Sequence, residues 1–262
     1  MAQETLMAQE PLIAVFVDFE NLALGARDMK GGQFDIKLVL KRLLEKGRIV
    51  FKRAYCDWSG YRTFTKEFHR NGVEMVDIPQ TRQSGKNSAD IHMVVDALDL
   101  CYAKEHIDIF ALLSGDSDFS PLVSKLKENN KRVIGCGIKS STSDLLIAGC
   151  DEFIYYDDLA RVASRSERRT KKKADTGARA DPKDEARDRL AEIVDSLSAD
   201  YDELWGSMIK QALRRVYPNF SESYYGYSNF SDLLKDCESR GRIRLEYDKG
   251  RGNYLVRLTD KP

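Results

Sequence analysis

A strand that is apolar on both faces has to be covered on both faces, and this chain carries two such strands that end in acids. LIAVFV at 12–17 runs straight into Asp18, and IDIFALL at 107–113 runs into Ser114-Gly115-Asp116-Ser117-Asp118. Strands without polar alternation belong in a parallel sheet between helical layers. The segments around them supply those layers. Helical apolar spacing covers 35–47, ending in Gly47, and 60–71, closed by Asn71-Gly72, with strands expected at 48–55 and 73–78. After the polar loop 81–88 a helix runs to about 103, with Ser88 as its expected N-cap. A helix at 120–130 places Pro121 near its start, where the missing N–H costs little. A strand at 131–138, a short helix at 143–150 and a strand at 152–156 complete an α/β pattern with a Rossmann-like parallel sheet.

In such sheets ligands bind beyond the carboxyl ends of the strands. Asp18 and Asp116 sit at two of those ends, Asp118 follows in the same turn, and Asp90 opens the helix before the second apolar strand. Carboxylates gathered at one edge repel one another unless a cation sits among them. An all-oxygen set suits Mg²⁺ or Mn²⁺, and such ions activate water and stabilise charge on phosphate. The pattern therefore points to hydrolysis of a phosphate ester. Asn21 adds an amide able to orient a water or a phosphate oxygen, and Lys86 adds a cation for phosphate. Asp116 and Asp118 either point the same way from an extended segment or cap a helical turn. Any one of these residues is an ordinary strand end or helix cap; their shared edge carries the reading. Asp96 falls on a different helix face from Asp90 and supports the site from behind or is solvated. His69, His92 and His106 show no ligand spacing.

Other classes fit poorly. VDFENLALG holds neither GxGxxG nor a Walker A pattern, and Glu20 stands where a phospho-aspartate hydrolase has its second Asp. The five Cys are dispersed, with no CxxC pair, which argues against a disulfide framework or a zinc site and favours a reducing, cytoplasmic setting. No run approaches the length of a membrane span, and MAQETLMAQEP has no signal-peptide pattern; its repeated MAQE suggests an alternative start at Met7. With 42 basic and 42 acidic residues the net charge is zero, so any nucleic-acid surface must arise from local asymmetry.

That asymmetry appears after the α/β pattern ends. Residues 159–183 read as a flexible basic linker, with Arg168, Arg169, Lys171, Lys172 and Lys173 able to attract a polyanion. Helical segments at 184–198, 205–216 and 228–240, then strands at 242–248 and 253–258 around Lys249-Gly250-Arg251-Gly252, suggest a smaller winged helix-turn-helix domain over 184–260. Lys210, Arg214 and Arg215 share part of one helix surface. Tyr224, Tyr225 and Tyr227 are able to stack on unpaired bases or to fill the small core, and Lys249 and Arg251 tip the hairpin toward phosphate.

VFVDFEN, GKNSADIHMVVDAL, LLSGDSDFSPLV and GCDEFIYY, in that order over 12–158, resemble the NYN domain, a branch of the PIN-like ribonuclease superfamily. The resemblance implies a metal-dependent endoribonuclease, with Asp18, Asp90, Asp116 and Asp118 as metal-binding and catalytic acids. Asn21 and Ser114 match as accessory polar groups, Asn21 beside the catalytic acids and Ser114, like Lys86, toward the RNA. The stretch WGSMIKQALRRVYPNFSESYYGYSNFSDLLKD, with GNYLVRL, resembles the OST-HTH (LOTUS) domain, implying RNA binding or, in some relatives, protein binding. The expected activity is cleavage of RNA, single-stranded or structured, by the first domain while the second holds it. The alternative is a non-catalytic RNA-binding regulator whose acidic site is vestigial or structural. The residue pattern leaves the oligomeric state open.

Overall fold

The computed structural model describes residues 10–27, 29, 33–79, 87–175 and 181–259, with side chains left aside over 166–175. The chain forms two compact units whose division along the chain falls between Arg168 and Arg169. Lys86 and most of the 81–88 loop lie outside the described residues, as do the side chains of the basic cluster at 168–173.

The first unit is built on six parallel strands: β1 (Leu12–Asp18), β2 (Arg48–Cys56), β3 (Glu74–Asp77), β4 (Ile109–Leu113), β5 (Arg132–Gly137) and β6 (Glu152–Tyr155), in the order β3-β2-β1-β4-β5-β6. The apolar runs are central because both faces are needed. Along β1, Ile13, Val15 and Val17 enter one core and Ala14 and Phe16 the other, as the two-residue period of a strand demands. Helices α1 (Phe19–Arg27), α2 (Ile36–Lys46) and α3 (Arg62–Arg70) contribute to the first core. Helices α4 (Ser88–Ala103), α5 (Ser120–Glu128) and α6 (Asp144–Gly149) contribute to the second. Asp35 caps α2 by accepting from Lys37 N at 2.8 Å. Asn87 occupies the N-cap position of α4, one residue before the expected Ser88, and makes no side-chain cap bond.

Helix α1 is absent from the sequence reading. It starts in the residue after β1, without a loop, and Asp18 Oδ1 accepts from Asn21 N at 3.3 Å in the manner of an N-cap. Its first residue, Phe19, is fully buried and anchors an aromatic cluster with Trp58, Tyr61, Phe64 and Phe68, whose ring centroids lie 4.9–5.2 Å away. A second difference is α7 (Tyr156–Asp175), a 20-residue helix that continues from β6 through residues expected to begin a structureless linker.

The second unit contains α8 (Pro182–Leu197), α9 (Gly206–Val216) and α10 (Phe230–Ser239) with a small antiparallel sheet ordered β7 (Leu204–Trp205), β9 (Asn253–Leu258), β8 (Ile243–Asp248). This is the three-helix and hairpin arrangement the sequence suggests, with β7 as an added strand. Tyr225 and Tyr227 lie in its core. Arg187, 2% exposed, is held by Asp184 at 2.8 Å and Asp236 at 2.6 Å, and Tyr227 OH donates to the same Asp236 oxygen at 2.6 Å. Removing Asp236 would take a partner from the buried Arg187 guanidinium and the acceptor from Tyr227 OH.

The aromatic cluster should dominate the stability of the first unit. Phe19→Ala is expected to cost about 3–5 kcal/mol through lost transfer energy and the cavity left behind. Urea unfolding followed by fluorescence of Trp58, in a Trp205→Phe background, would show a lower midpoint at unchanged slope; an unchanged midpoint would refute the anchoring role.

Candidate active site

The sheet order reverses between β1 and β4, because the chain builds outward from β1 to β3 and then returns to lay β4 on the other side of β1. A cleft opens at such a point beyond the strand ends. Asp18 ends β1, and the turn 114–118 follows β4, so the acids expected from the sequence flank this switch point.

The turn and the strand end are tied together directly. Ser114 Oγ donates to Asp18 Oδ2 at 2.8 Å and accepts from Asp116 N at 3.1 Å. Asn21 Oδ1 accepts from Gly115 N at 2.9 Å. Asp116 caps the 3-10 helical turn Ser117–Phe119, accepting from Asp118 N at 2.9 Å, so of the two arrangements open in the sequence it is the capping one that forms. Gly115 is required by close approach: a Cβ there would lie 2.5 Å from Ser141 O. Ser143 N in turn donates to Gly115 O at 2.9 Å.

Two expectations need correcting. Ser114 does not face RNA; it is fully buried and braces Asp18 from beneath. Tyr225 does not offer a stacking face; it is 5% exposed and packs on Phe220. Asn21 spends its carbonyl oxygen on the turn, which leaves its NH₂ side for a ligand.

The electrostatics show the strain of this arrangement. Burial pushes the Asp18 carboxyl up to about 7, helped by the Asp90 and Asp116 carboxylates, against the lowering effect of the hydrogen bonds from Ser114 and Asn21 N. Asp90, in the first turn of α4, is also raised, by burial and then by Asp116, Asp118 and Glu20. These groups share one field. Glu20 is the member the sequence reading left out of the site; its signal is its place in the first turn of α1, two residues past Asp18. Asn87 Nδ2 stands 3.5 Å from Asp118 Oδ2. Behind the site, Asp96 Oδ2 accepts from Tyr55 OH and Arg53 Nη1, both at 2.7 Å, which pins α4 to β2.

Among the described residues no group of three or more His, Cys, Asp or Glu is placed to hold a metal ion as the structure stands. The donor chemistry nevertheless fits a hard divalent cation: the acids around Asp18 are carboxylates, and the rise in Asp18 and in Asp90, from burial first and neighbouring carboxylates next, is in the direction a positive charge would offset.

A model of the NYN domain matches residues 12–159, more than half of the chain. The chain belongs to the NYN family. A model of the OST-HTH/LOTUS domain matches residues 181–252. NYN domains are a PIN-like nuclease family and LOTUS domains bind RNA. An uncharacterized protein of Methanocaldococcus jannaschii is 28% identical over 137 residues, covering 52% of each chain, so the similarity spans about half the length of that relative. A crystal structure of a protein of unknown function from Vibrio parahaemolyticus matches with a TM-score of 0.51 at 27% identity, over 58% of this chain and 96% of that one.

Among the expected RNA-contacting residues of the second unit, Tyr224 is 75% exposed, and Lys249 and Arg251 sit at the exposed turn of the β8–β9 hairpin. Arg251 lies over the Trp205 ring at 4.5 Å. Lys210 and Arg214 both face Glu222 Oε1, at 3.4 and 3.5 Å. No helix among the described residues is long and apolar enough to cross a membrane.

The raised Asp18 has a consequence for stability. Its ordinary value is 3.8 and its folded value about 7, so its contribution is complete below pH 4, is lost as pH rises from 4 to 7, and stays lost above that. In EDTA, Asp18→Asn should therefore gain on wild type across that window, by on the order of 4 kcal/mol at pH 8. Parallel pH–stability curves for the two proteins would contradict the buried, crowded carboxylate.

Proposed function

We propose that this chain is a metal-dependent endoribonuclease whose first domain cuts RNA and whose second binds it. The observation that carries the reading is the convergence of buried and half-buried carboxylates at the switch point, on a chain of the NYN family. Asp18, Asp90, Asp116 and Asp118 are the residues that would hold Mg²⁺ or Mn²⁺, which when bound supplies charge for the phosphate and a more acidic water.

The chain's own groups do the rest. Ser114 and Asn21 lock the β1 end to the 114–118 turn, so the acids keep their spacing while RNA enters. Asp18 Oδ2 is oriented by Ser114, which fixes the direction of its carboxylate. Asp116 uses Oδ1 to cap the turn, which fixes the direction of its carboxylate. The Asn21 NH₂ would offer a phosphate oxygen a neutral donor beside the turn. Lys86 extends the same expectation to the loop before α4.

The non-catalytic alternative draws on one observation, that the described acids are not preassembled around a metal ion. Cleavage of end-labelled single-stranded and hairpin RNAs separates the two. Wild type should cut with Mn²⁺ or Mg²⁺ and stop with EDTA, and Asp116→Asn should lose at least about a hundredfold in rate while retaining RNA affinity. Cutting that survives both chelation and the substitution would sink the nuclease reading; tight binding with no cutting in any metal would favour the regulator.

RNA binding by the second domain has its own test. Tyr224→Ala should weaken single-stranded RNA binding by about 1–3 kcal/mol if the ring stacks on a base, read by fluorescence anisotropy. An unchanged Kd would assign the ring to the surface alone.

A further inference from the structure

Next to the acid cluster, the 3-10 turn Ser117–Phe119 leads into α5 and α6 comes alongside. There the surface forms an open cavity of about 640 Å³ lined by Ser117, Asp118, Ser120, Pro121, Ser124 and Leu145. Asp118 belongs to both the cavity and the acid cluster, so whatever fills the cavity lies beside the reacting phosphate.

The lining says what kind of group that is. It contains no cation, and its one charge is a carboxylate, so it does not take a phosphate. Three of its residues are serines, whose hydroxyls both donate and accept. Ser120 Oγ is buried beneath this surface, and Ser124 Oγ donates to Ser120 O at 3.2 Å, which leaves the Ser124 lone pairs able to accept. The remaining wall is apolar: Pro121, and Leu145 with 63% of its surface exposed, although the next residue, Leu146, is core. A flat apolar ring with hydrogen-bonding edges matches this combination, and single-stranded RNA offers such rings when its bases are splayed out.

We infer that the cavity seats the nucleobase of a nucleotide flanking the cleaved phosphate, with Leu145 and Pro121 against its face and the Ser117 and Ser124 hydroxyls at its edge. The inference rests on the nuclease reading and adds to it a site that gives cleavage a base preference at one position.

The test is cleavage of an RNA pool randomised around a fixed cut region, with the cut positions and their flanking bases sequenced. Wild type should prefer particular bases at one position next to the cut. Leu145→Ala changes an exposed side chain, and it should flatten that preference and slow cutting of the preferred RNA by about tenfold. An RNA lacking the base at that position should be cut at the same low rate by both proteins, as coupling between the side chain and the base requires. Ser124→Ala, at an exposed position of α5, removes a hydroxyl at the cavity rim. It should shift the preference while leaving the urea midpoint no lower than wild type, which separates recognition from misfolding. If wild type cuts RNA and neither variant changes the flanking bases, the cavity is not a base site and the nuclease reading stands. If wild type cuts no RNA with Mn²⁺ or Mg²⁺, the nuclease reading fails and the cavity assignment falls with it.

Discussion

The interaction on which the site depends is the hydrogen bond that crosses from β4 to β1, Ser114 Oγ to Asp18 Oδ2. It holds a carboxylate in a place that disfavours its charge. Asp18 is 7% exposed, faces Asp90 and Asp116, and would rather keep a proton at neutral pH. Ser114 and the amide of Asn21 are what hold it there, and each is itself committed: Ser114 also takes the Asp116 amide, and Asn21 takes the Gly115 amide through its side chain. Four residues thus close a ring of bonds around the strand ends. The ring forms only because Gly115 lets the turn come against the Ser141 carbonyl. Sites that store repulsion in this way need support elsewhere, and here it comes from the two cores that grip β1 on both faces and from the ring cluster around Phe19, one residue after Asp18.

The second support is on α4. Asp90 reaches the cluster from a helix, so its position is only as good as the seating of that helix. Asp96 provides the seat, with one oxygen receiving both Tyr55 OH and Arg53. Tyr55 is the β2 residue in register with Asp18. The clamp therefore sits within the same layer of the sheet as the acid that Asp90 must face. A charge-assisted bond to a buried tyrosine is directional, which fixes the rotation of α4 about its axis as well as its distance from the sheet. The sequence leaves Asp96 undecided between support and solvent because six residues of helix say which face it is on but not what that face meets.

The same distinction explains what else could be read in advance. The strands β1 and β4 were legible because an unbroken apolar run has one physical use in a chain of this size, and the acids at their ends followed from the rule that sheet ligands bind there. Contacts that depend on depth were not legible. Ser114 looks like any polar residue after a strand, and only the closeness of two strand ends makes it a buried donor. Tyr224, Tyr225 and Tyr227 are indistinguishable in sequence, yet one is 75% exposed and the others are core, one of them with its hydroxyl bound to Asp236. Helix α1 was hidden because Asp18 serves both as the end of a strand and as the cap of a helix, so no turn residues mark the change. The first part of α7 was hidden because it too follows a strand without a turn: Tyr156, Leu159 and Ala160 have helical spacing and pack on the first core, but the polar, basic residues after them mask the pattern.

An acidic site and RNA carry the same sign, and this sets how the two domains would divide the work. The chain as a whole is neutral, so any attraction for RNA would arise where charge is local, and Lys249 and Arg251 on the hairpin turn are one such place. Attraction of that kind is diffuse and weakens steeply with salt. The carboxylates at the switch point do the reverse: without a cation they repel the backbone, and protonation of Asp18 near neutral pH is the cheapest relief open to the protein alone. A divalent cation held there would relieve the same repulsion and give a phosphate oxygen a positive ion to meet. Proton and cation therefore compete for Asp18, so cation affinity should rise with pH through 7, while RNA capture by the second domain should follow salt and not pH. The two dependences come from different groups, and that separation is a property of the charge placement rather than of any particular RNA.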